Sequence, residues 1–217
     1  MTGSPRGRLI AFEGIDGCGK STQAALLADR LGAVLTFEPG ATGLGASLRK
    51  LLLDHDQAPV AERSEALLMA ADRAQHVAEV VKPALDAGTW VVSDRFSAST
   101  LAYQGSGRGL DRSELARLVL FATGGLAPDL NVLVDVPLAV ARDRRGSTRA
   151  DRFEAQGDGF QQRVADGFRH LAAESGAPWL VVDGSGSVEQ VAAAVWAGVG
   201  RLVGPEGPDG PEDPDGS

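Results

Sequence analysis

The order of apolar segments predicts an α/β fold: a five-stranded parallel sheet with helices on both faces. Two observations carry it. Five short apolar runs recur along the chain, and the segments between them carry a helical rather than a two-residue period. Strands in such a sheet are covered on both faces, so they read as continuous apolar runs and not as alternating ones.

The first strand is Arg8–Glu13 (RLIAFE). Ser21–Leu31 is a helix, because Ala24, Leu27, Ala28 and Leu31 repeat at i, i+3, i+4 and i+7, and Gly32 stops it. Ala33–Phe37 is the second strand. A long helical pattern spans about Ala61–Ala87, with Leu67, Ala71, Ala74, Ala78, Val81 and Leu85 expected on its apolar face. Pro83 should kink that helix and Gly88 ends it. Trp90–Ser93 is the third strand, Arg112–Phe121 a helix, and Leu130–Val136 the fourth strand. Pro137 then opens a helix at a position that needs no N–H. Gly159–Ala173 is helical, Trp179–Val182 is the fifth strand, and Val188–Val203 is the last helix. No linker interrupts residues 1–203, which read as one domain. The acidic Gly/Pro-rich segment 204–217 has nothing to bury and reads as a disordered tail.

Composition sets limits on function. The chain has 217 residues and a net charge of −8, which becomes −3 once the five acids of the last segment are set aside. Nucleic acid is therefore not an expected partner, since its binders show a basic excess. Cys18 is the only cysteine, so no internal disulfide can form and a cytoplasmic location is expected. No apolar run approaches the roughly 20 residues that span a bilayer, so no membrane partner is expected. His55, His76 and His170 lack metal spacing and are read as structural.

Gly14-Ile15-Asp16-Gly17-Cys18-Gly19-Lys20-Ser21, followed by Thr22, fits G-x-x-x-x-G-K-[ST] between a strand and a helix. A triphosphate needs a ring of inward N–H groups, which Gly14, Gly17 and Gly19 permit, and a positive helix end. Lys20 is expected at the β- and γ-phosphates and the Ser21 hydroxyl on Mg²⁺. Asp94 and Arg95 end the third strand. An acid there suits a metal partner, and the arginine fork suits a phosphate monoester. Arg142–Arg152 holds five arginines in 11 residues and reads as a lid, about 142–157, closing over a transferring phosphoryl group.

The motif Asp94-Arg95-Phe96…Ser99-Thr100…Tyr103-Gln104-Gly105 resembles the thymidylate kinase family. The same order of motifs runs through FEGIDGCGKST, EPGAT (Glu38–Thr42), Leu48-Arg49, ADRAQH (Ala71–His76), GRGLD, PDL and DRFE, over roughly residues 8–200. The resemblance implies a P-loop nucleoside monophosphate kinase fold. It implies ATP and dTMP as ligands, Mg²⁺ with ATP, and a homodimer. It also assigns positions. Gly14–Thr22 would hold ATP. Arg49 and Arg95 would clamp the dTMP phosphate, and Arg73 and Thr100 would bond the thymine edge. Tyr103 would stand by the sugar's 2′ carbon, Asp16 would touch the 3′-hydroxyl, and Gln104 would help close the pocket. Glu38, Pro39, Met69 and Ser99 complete the expected acceptor set. Ser99 and Thr100 read, without the resemblance, as a helix cap.

The chain departs from the family pattern at Phe37, usually arginine, at Ala41, usually glycine, and at Met69, usually aromatic. Some members of the family place a basic residue after the loop acid, where this chain has Gly17; the resemblance then implies the family's other solution, a catalytic arginine from the lid, at Arg144, Arg145 or Arg149. Two other readings stay open at this stage. One is a kinase for another monophosphate or a deoxynucleoside. The other is a GTPase-like module, although N-K-x-D is missing, since the single asparagine is Asn131.

Overall fold

In the computed structural model, residues 6–54, 59–146, 152–174 and 176–203 are described. The expected tail 204–217, His55 and Arg149 lie outside them. Five parallel strands, β1 (Leu9–Glu13), β2 (Val34–Phe37), β3 (Val91–Asp94), β4 (Leu130–Asp135) and β5 (Trp179–Asp183), form one sheet in the order β2-β3-β1-β4-β5. Every residue of β1 is buried, because strands flank it on both sides and helices cover both faces.

Alternation along β1 sends its side chains to two separate apolar layers. Leu9 and Ala11 pack with Val77, Val81, Leu85, Val91 and Phe96. Ile10 and Phe12 belong to a larger layer with Ala24, Leu27, Ala28, Val92, Val164 and Phe168. Phe12 pairs with Asp94 of β3 and with Val132 of β4. The parallel direction therefore delivers the ends of β1, β3 and β4 to one edge.

The helices are α1 (Lys20–Leu31), α2 (Gly43–Leu53), α3 (Glu62–His76), α4 (Lys82–Asp86), α5 (Ser97–Thr100), α6 (Arg112–Thr123), α7 (Leu138–Arg145), α8 (Asp158–Glu174) and α9 (Val188–Val203). Five differ from the sequence expectation, which has no helix over Gly43–Leu53. The pattern over 61–87 is not simply kinked at Pro83. A π turn, Val77–Val81, joins α3 to α4 and closes with the Lys82 N–H on the Val77 carbonyl. This widened turn absorbs the missing proline N–H one residue later.

The apolar face expected on that helix is also misassigned. Leu67 is 59% exposed, and Ala71, Ala74 and Ala78 are exposed. The buried side of α3 carries Glu65, Ala66, Ala70, Asp72, Arg73 and His76. Only Val81 and Leu85 of the expected face meet the core.

Ser99 and Thr100 are not a cap. They lie inside α5, which continues into a second π turn, Leu101–Gly107. The first part of the arginine-rich stretch, Arg142–Arg145, is helical rather than loop, and Pro137 is the cap residue before α7.

Leu85 is fully buried under β1 and β3. Leu85→Ala should cost about 2–5 kcal/mol of stability by leaving a cavity. Urea denaturation of the variant measures this, and a loss under about 0.5 kcal/mol, the usual surface range, would contradict the burial.

Candidate functional site

The loop between β1 and α1 curls because Gly14, Gly17 and Gly19 take φ of 145°, 86° and 96°. A side chain at Gly17 would also collide with α7: its Cβ would stand 2.2 Å from the Ala141 carbonyl oxygen. Ile15 and Cys18 send their side chains into the core, so they offer the loop only backbone. Lys20 is buried at the start of α1, with Nζ 3.3 Å from Asp16 Oδ1. Thr22 is exposed in the first turn of α1.

Ser21 Oγ donates to Asp94 Oδ2 at 2.5 Å, which joins the loop to the end of β3. Asp94 Oδ1 is buried without a protein partner. A hydroxyl and a carboxylate with one open oxygen are hard donors suited to Mg²⁺, which keeps most of its ligands as water and phosphate. Among the described residues no cluster of three His, Cys, Asp or Glu could form a full protein cage, as such a site requires none.

Arg95 follows Asp94 and takes φ 74°, the one positive value among described non-glycine residues. That conformation costs about 1–2 kcal/mol. It turns the guanidinium toward the loop. Nη2 bonds Asp16 Oδ1 at 2.5 Å and Tyr103 Oη at 3.1 Å, while Nη1 bonds the Gly14 carbonyl at 3.0 Å and Ser99 Oγ at 3.2 Å. Tyr103 Oη donates to Asp16 Oδ2 at 2.9 Å. Burial opposes the charge on Asp16, but Arg95 and Lys20 outweigh it and hold the carboxyl well below the usual range. Burial pushes the Tyr103 hydroxyl well up, so it remains a neutral donor.

A cleft opens beside this group. Its walls include Asp16, Glu38, Pro39, Arg49, Met69, Arg73, Arg95, Ser99, Thr100, Tyr103 and Gln104, the whole expected acceptor set. The sequence reading missed Leu53, Asp72 and Phe153, which also line it. Phe153 stands edge-on to Tyr103, 5.8 Å between centroids.

Buried polar contacts hold the floor. Arg73 donates to Glu38 Oε2 and Thr100 Oγ1, both at 2.8 Å, and to the Phe96 carbonyl at 3.0 Å. His76 bridges Glu38 Oε1 at 2.8 Å and Thr36 Oγ1 at 2.7 Å, which makes it structural as expected. Arg49 donates to the Pro39 carbonyl at 2.6 Å and lies 5.8 Å from the Phe37 ring centroid.

Two further carboxylates were not singled out from the sequence. Glu65 is 1% exposed and accepts from Gln104 at 3.0 Å and Arg108 at 2.9 Å. Glu13 is fully buried, and burial pushes its carboxyl up to about 7. A buried carboxylate is the general signal for such positions, but the burial of Glu65 is invisible until α3 is oriented.

The arginine stretch divides. Arg144 gives its guanidinium to main-chain carbonyls, those of Gly184 at 2.8 Å and of Cys18, Ser185 and Gly186 at 3.3 Å. Arg145 packs its Cγ against the position that a Gly17 side chain would need. His170 is half-exposed and pairs with Glu174 at 2.8 Å.

The family model described as thymidylate kinase matches residues 12–195. Thymidylate kinase of Synechococcus sp. strain CC9311 is 48% identical over 203 residues, spanning 87% of this chain and 93% of that protein. Thymidylate kinase of Cupriavidus necator is 47% identical over 194 residues, spanning 86% and 94%. The crystal structure of thymidylate kinase from Ehrlichia chaffeensis superposes with a TM-score of 0.69 at 34% identity, covering 82% of this chain and 93% of that one.

Asp72 accepts the Gly40 N–H at 2.9 Å on the pocket wall. Burial, then the adjacent Glu38, raise its carboxyl from 3.8 to about 6. The folded protein thus holds this proton more tightly than the unfolded chain. Its contribution to stability is present at low pH and is lost as pH rises from 3.8 to about 6. Asp72→Asn keeps an acceptor for Gly40 and should flatten that part of the stability curve. Thermal unfolding from pH 4 to 7 checks it, and parallel curves for the two proteins would contradict it.

Proposed function

The chain belongs to the thymidylate kinase family, and we propose that it transfers the γ-phosphoryl group of ATP to dTMP, giving ADP and dTDP. The observation that supports this best is the acceptor cleft, which gathers all 11 expected residues within reach of the phosphate loop.

On this reading the donor phosphates lie in the Gly14–Ser21 loop against the start of α1, with Lys20 beside them. Arg95 and Arg49 take the phosphate of dTMP. Asp16 now occupies part of the Arg95 fork, so it keeps that arginine oriented until the monoester arrives. Arg73 and Thr100 read the thymine edge, Met69 covers a face of the base, and Tyr103 closes the side of the sugar that a ribose hydroxyl would occupy. Ser21 and Asp94 would hold Mg²⁺, which supplies charge neutralisation on the phosphates when bound. Phosphoryl transfer then needs little covalent help from the protein beyond alignment and positive charge.

Arg145 and Arg149 are the lid candidates for that charge. Arg144 is better used as a brace, because four carbonyls already take its donors. Cytoplasmic location is part of the same proposal. It agrees with the lone cysteine and with a molecule in which no described helix is long and apolar enough to cross a membrane.

We also propose a homodimer built on the outer face of α3. Leu67 is 59% exposed there, and the adjacent helix α6 presents Leu120 at 62% and Phe121 at 87%. Exposed apolar surface of this kind marks a contact face.

ADP release with ATP and a panel of monophosphates tests the activity. The expected order is dTMP well ahead of ribonucleotides, and turnover with every acceptor but dTMP would overturn it. Arg95→Ala should weaken dTMP by about 2–5 kcal/mol, the loss for one partner of a desolvated charge pair, with ATP nearly unchanged. Equal losses for both nucleotides would remove Arg95 from the acceptor side. Leu67→Glu should leave a monomer in analytical ultracentrifugation, and an intact dimer would move the interface off α3.

A further inference from the structure

We propose that Glu13, together with Ser93, is the positioning device that holds Arg95 in its left-handed conformation and so aims the acceptor clamp. The inference rests on the reading of Arg95 as a ligand of the acceptor phosphate, but it concerns residues which that reading leaves unused.

Arg95 is a long side chain at φ 74°. Such a residue keeps that backbone only where its surroundings over-determine it. Here every main-chain group around it is taken. Its own N–H donates to the Phe12 carbonyl at 2.9 Å. Its carbonyl accepts from Ser93 Oγ at 2.7 Å. The next N–H, of Phe96, donates to Glu13 Oε1 at 3.0 Å.

Glu13 does more than close that one bond. The same Oε1 accepts from the Ser99 N–H at 3.3 Å, and Oε2 pairs with Ser99 Oγ at 2.6 Å. Phe96, the residue before α5, provides no side-chain cap. A carboxylate from β1 therefore caps this helix from a distance, a role usually filled by the helix's own first residues. Ser99 Oγ then meets Arg95 Nη1 at 3.2 Å. The carboxylate thus fixes Arg95 twice, through the backbone that follows it and through the hydroxyl beside its guanidinium.

Glu13 and Ser93 are both fully buried. Among the described residues the Glu13 carboxylate bonds to Phe96 and Ser99 and not to the phosphate loop. Its loss should therefore fall on the acceptor and not on the donor.

The test is steady-state kinetics with each nucleotide varied in turn. Glu13→Ala should raise the dTMP KM by about tenfold or more, with the ATP KM within about twofold. Glu13→Gln keeps one acceptor oxygen for the two N–H groups and an N–H for Ser99, so it should lie within about threefold of the parent enzyme. Ser93→Ala should change the dTMP KM in the same direction by about threefold, and it carries the test if Glu13→Ala does not fold. A merely structural role would lower the melting temperature without separating the two KM values. Equal increases for ATP and dTMP, or no increase in either variant, would overturn the proposal. Arg95→Ala, measured alongside, separates the two failures. If it is selective for dTMP while the Glu13 and Ser93 variants are not, the clamp stands and the positioning device falls.

Discussion

The site depends on the register of β1 against β3. Phe12 lies opposite Asp94, so the phosphate loop that leaves β1 and the Asp-Arg pair that ends β3 emerge side by side. A slip of one residue would turn every β3 side chain to the other face. Asp94 would then no longer meet Ser21, and Arg95 would leave Asp16. The alternation of Leu9 and Ala11 with Ile10 and Phe12 between two apolar layers forbids that slip. The same packing that makes the core therefore sets the distance between the phosphate loop and Arg95.

Above that register, the cleft beside Arg95 is built on buried charge. Glu38 and Arg73 are both nearly inaccessible and would be costly alone. They are tolerated because each is bonded again, Glu38 to His76 and Arg73 to Thr100 and the Phe96 carbonyl. The arrangement fixes a planar arginine at the pocket wall with rotamer freedom already spent. That suits recognition of a flat polar edge, since little ordering remains to be done on binding. It also explains the orientation of helix α3, which turns Glu65, Asp72 and Arg73 inward while Leu67, Ala71 and Ala74 face out.

Much of this was legible in the sequence. The five strands, their parallel direction and the phosphate loop follow from apolar runs and a motif with a physical reason at each fixed position. The residues that line the cleft were legible through the ordered motifs alone, since Arg49 or Tyr103 by itself carries no such message. What escaped was the inward side of α3. A hydrophobicity count assigns Leu67 and Ala71 to the core and Glu65 and Arg73 to solvent. It cannot know that each buried charge meets a partner dozens of residues away. The two π turns escaped for a similar reason, because a widened turn leaves no periodic trace shorter than itself. Glu13 reads as the ordinary end of a strand until Phe96 and Ser99 are folded onto it.

The phosphate loop itself narrows where catalytic charge can come from. At Gly17 the Ala141 carbonyl would stand 2.2 Å from any added Cβ, and Arg145 Cγ 2.9 Å. A cation cannot extend from the loop at that point while α7 lies where it does. The helix that excludes it brings arginines of its own to the same place. One of them, Arg144, spans from the Cys18 carbonyl to those of Gly184, Ser185 and Gly186. It thereby ties the phosphate loop to the turn after β5. On the proposed reading, losing a loop cation and gaining an arginine helix are one structural choice. The volume that a side chain at position 17 would fill is the volume that seats α7, through the Ala141 carbonyl and the Arg145 side chain.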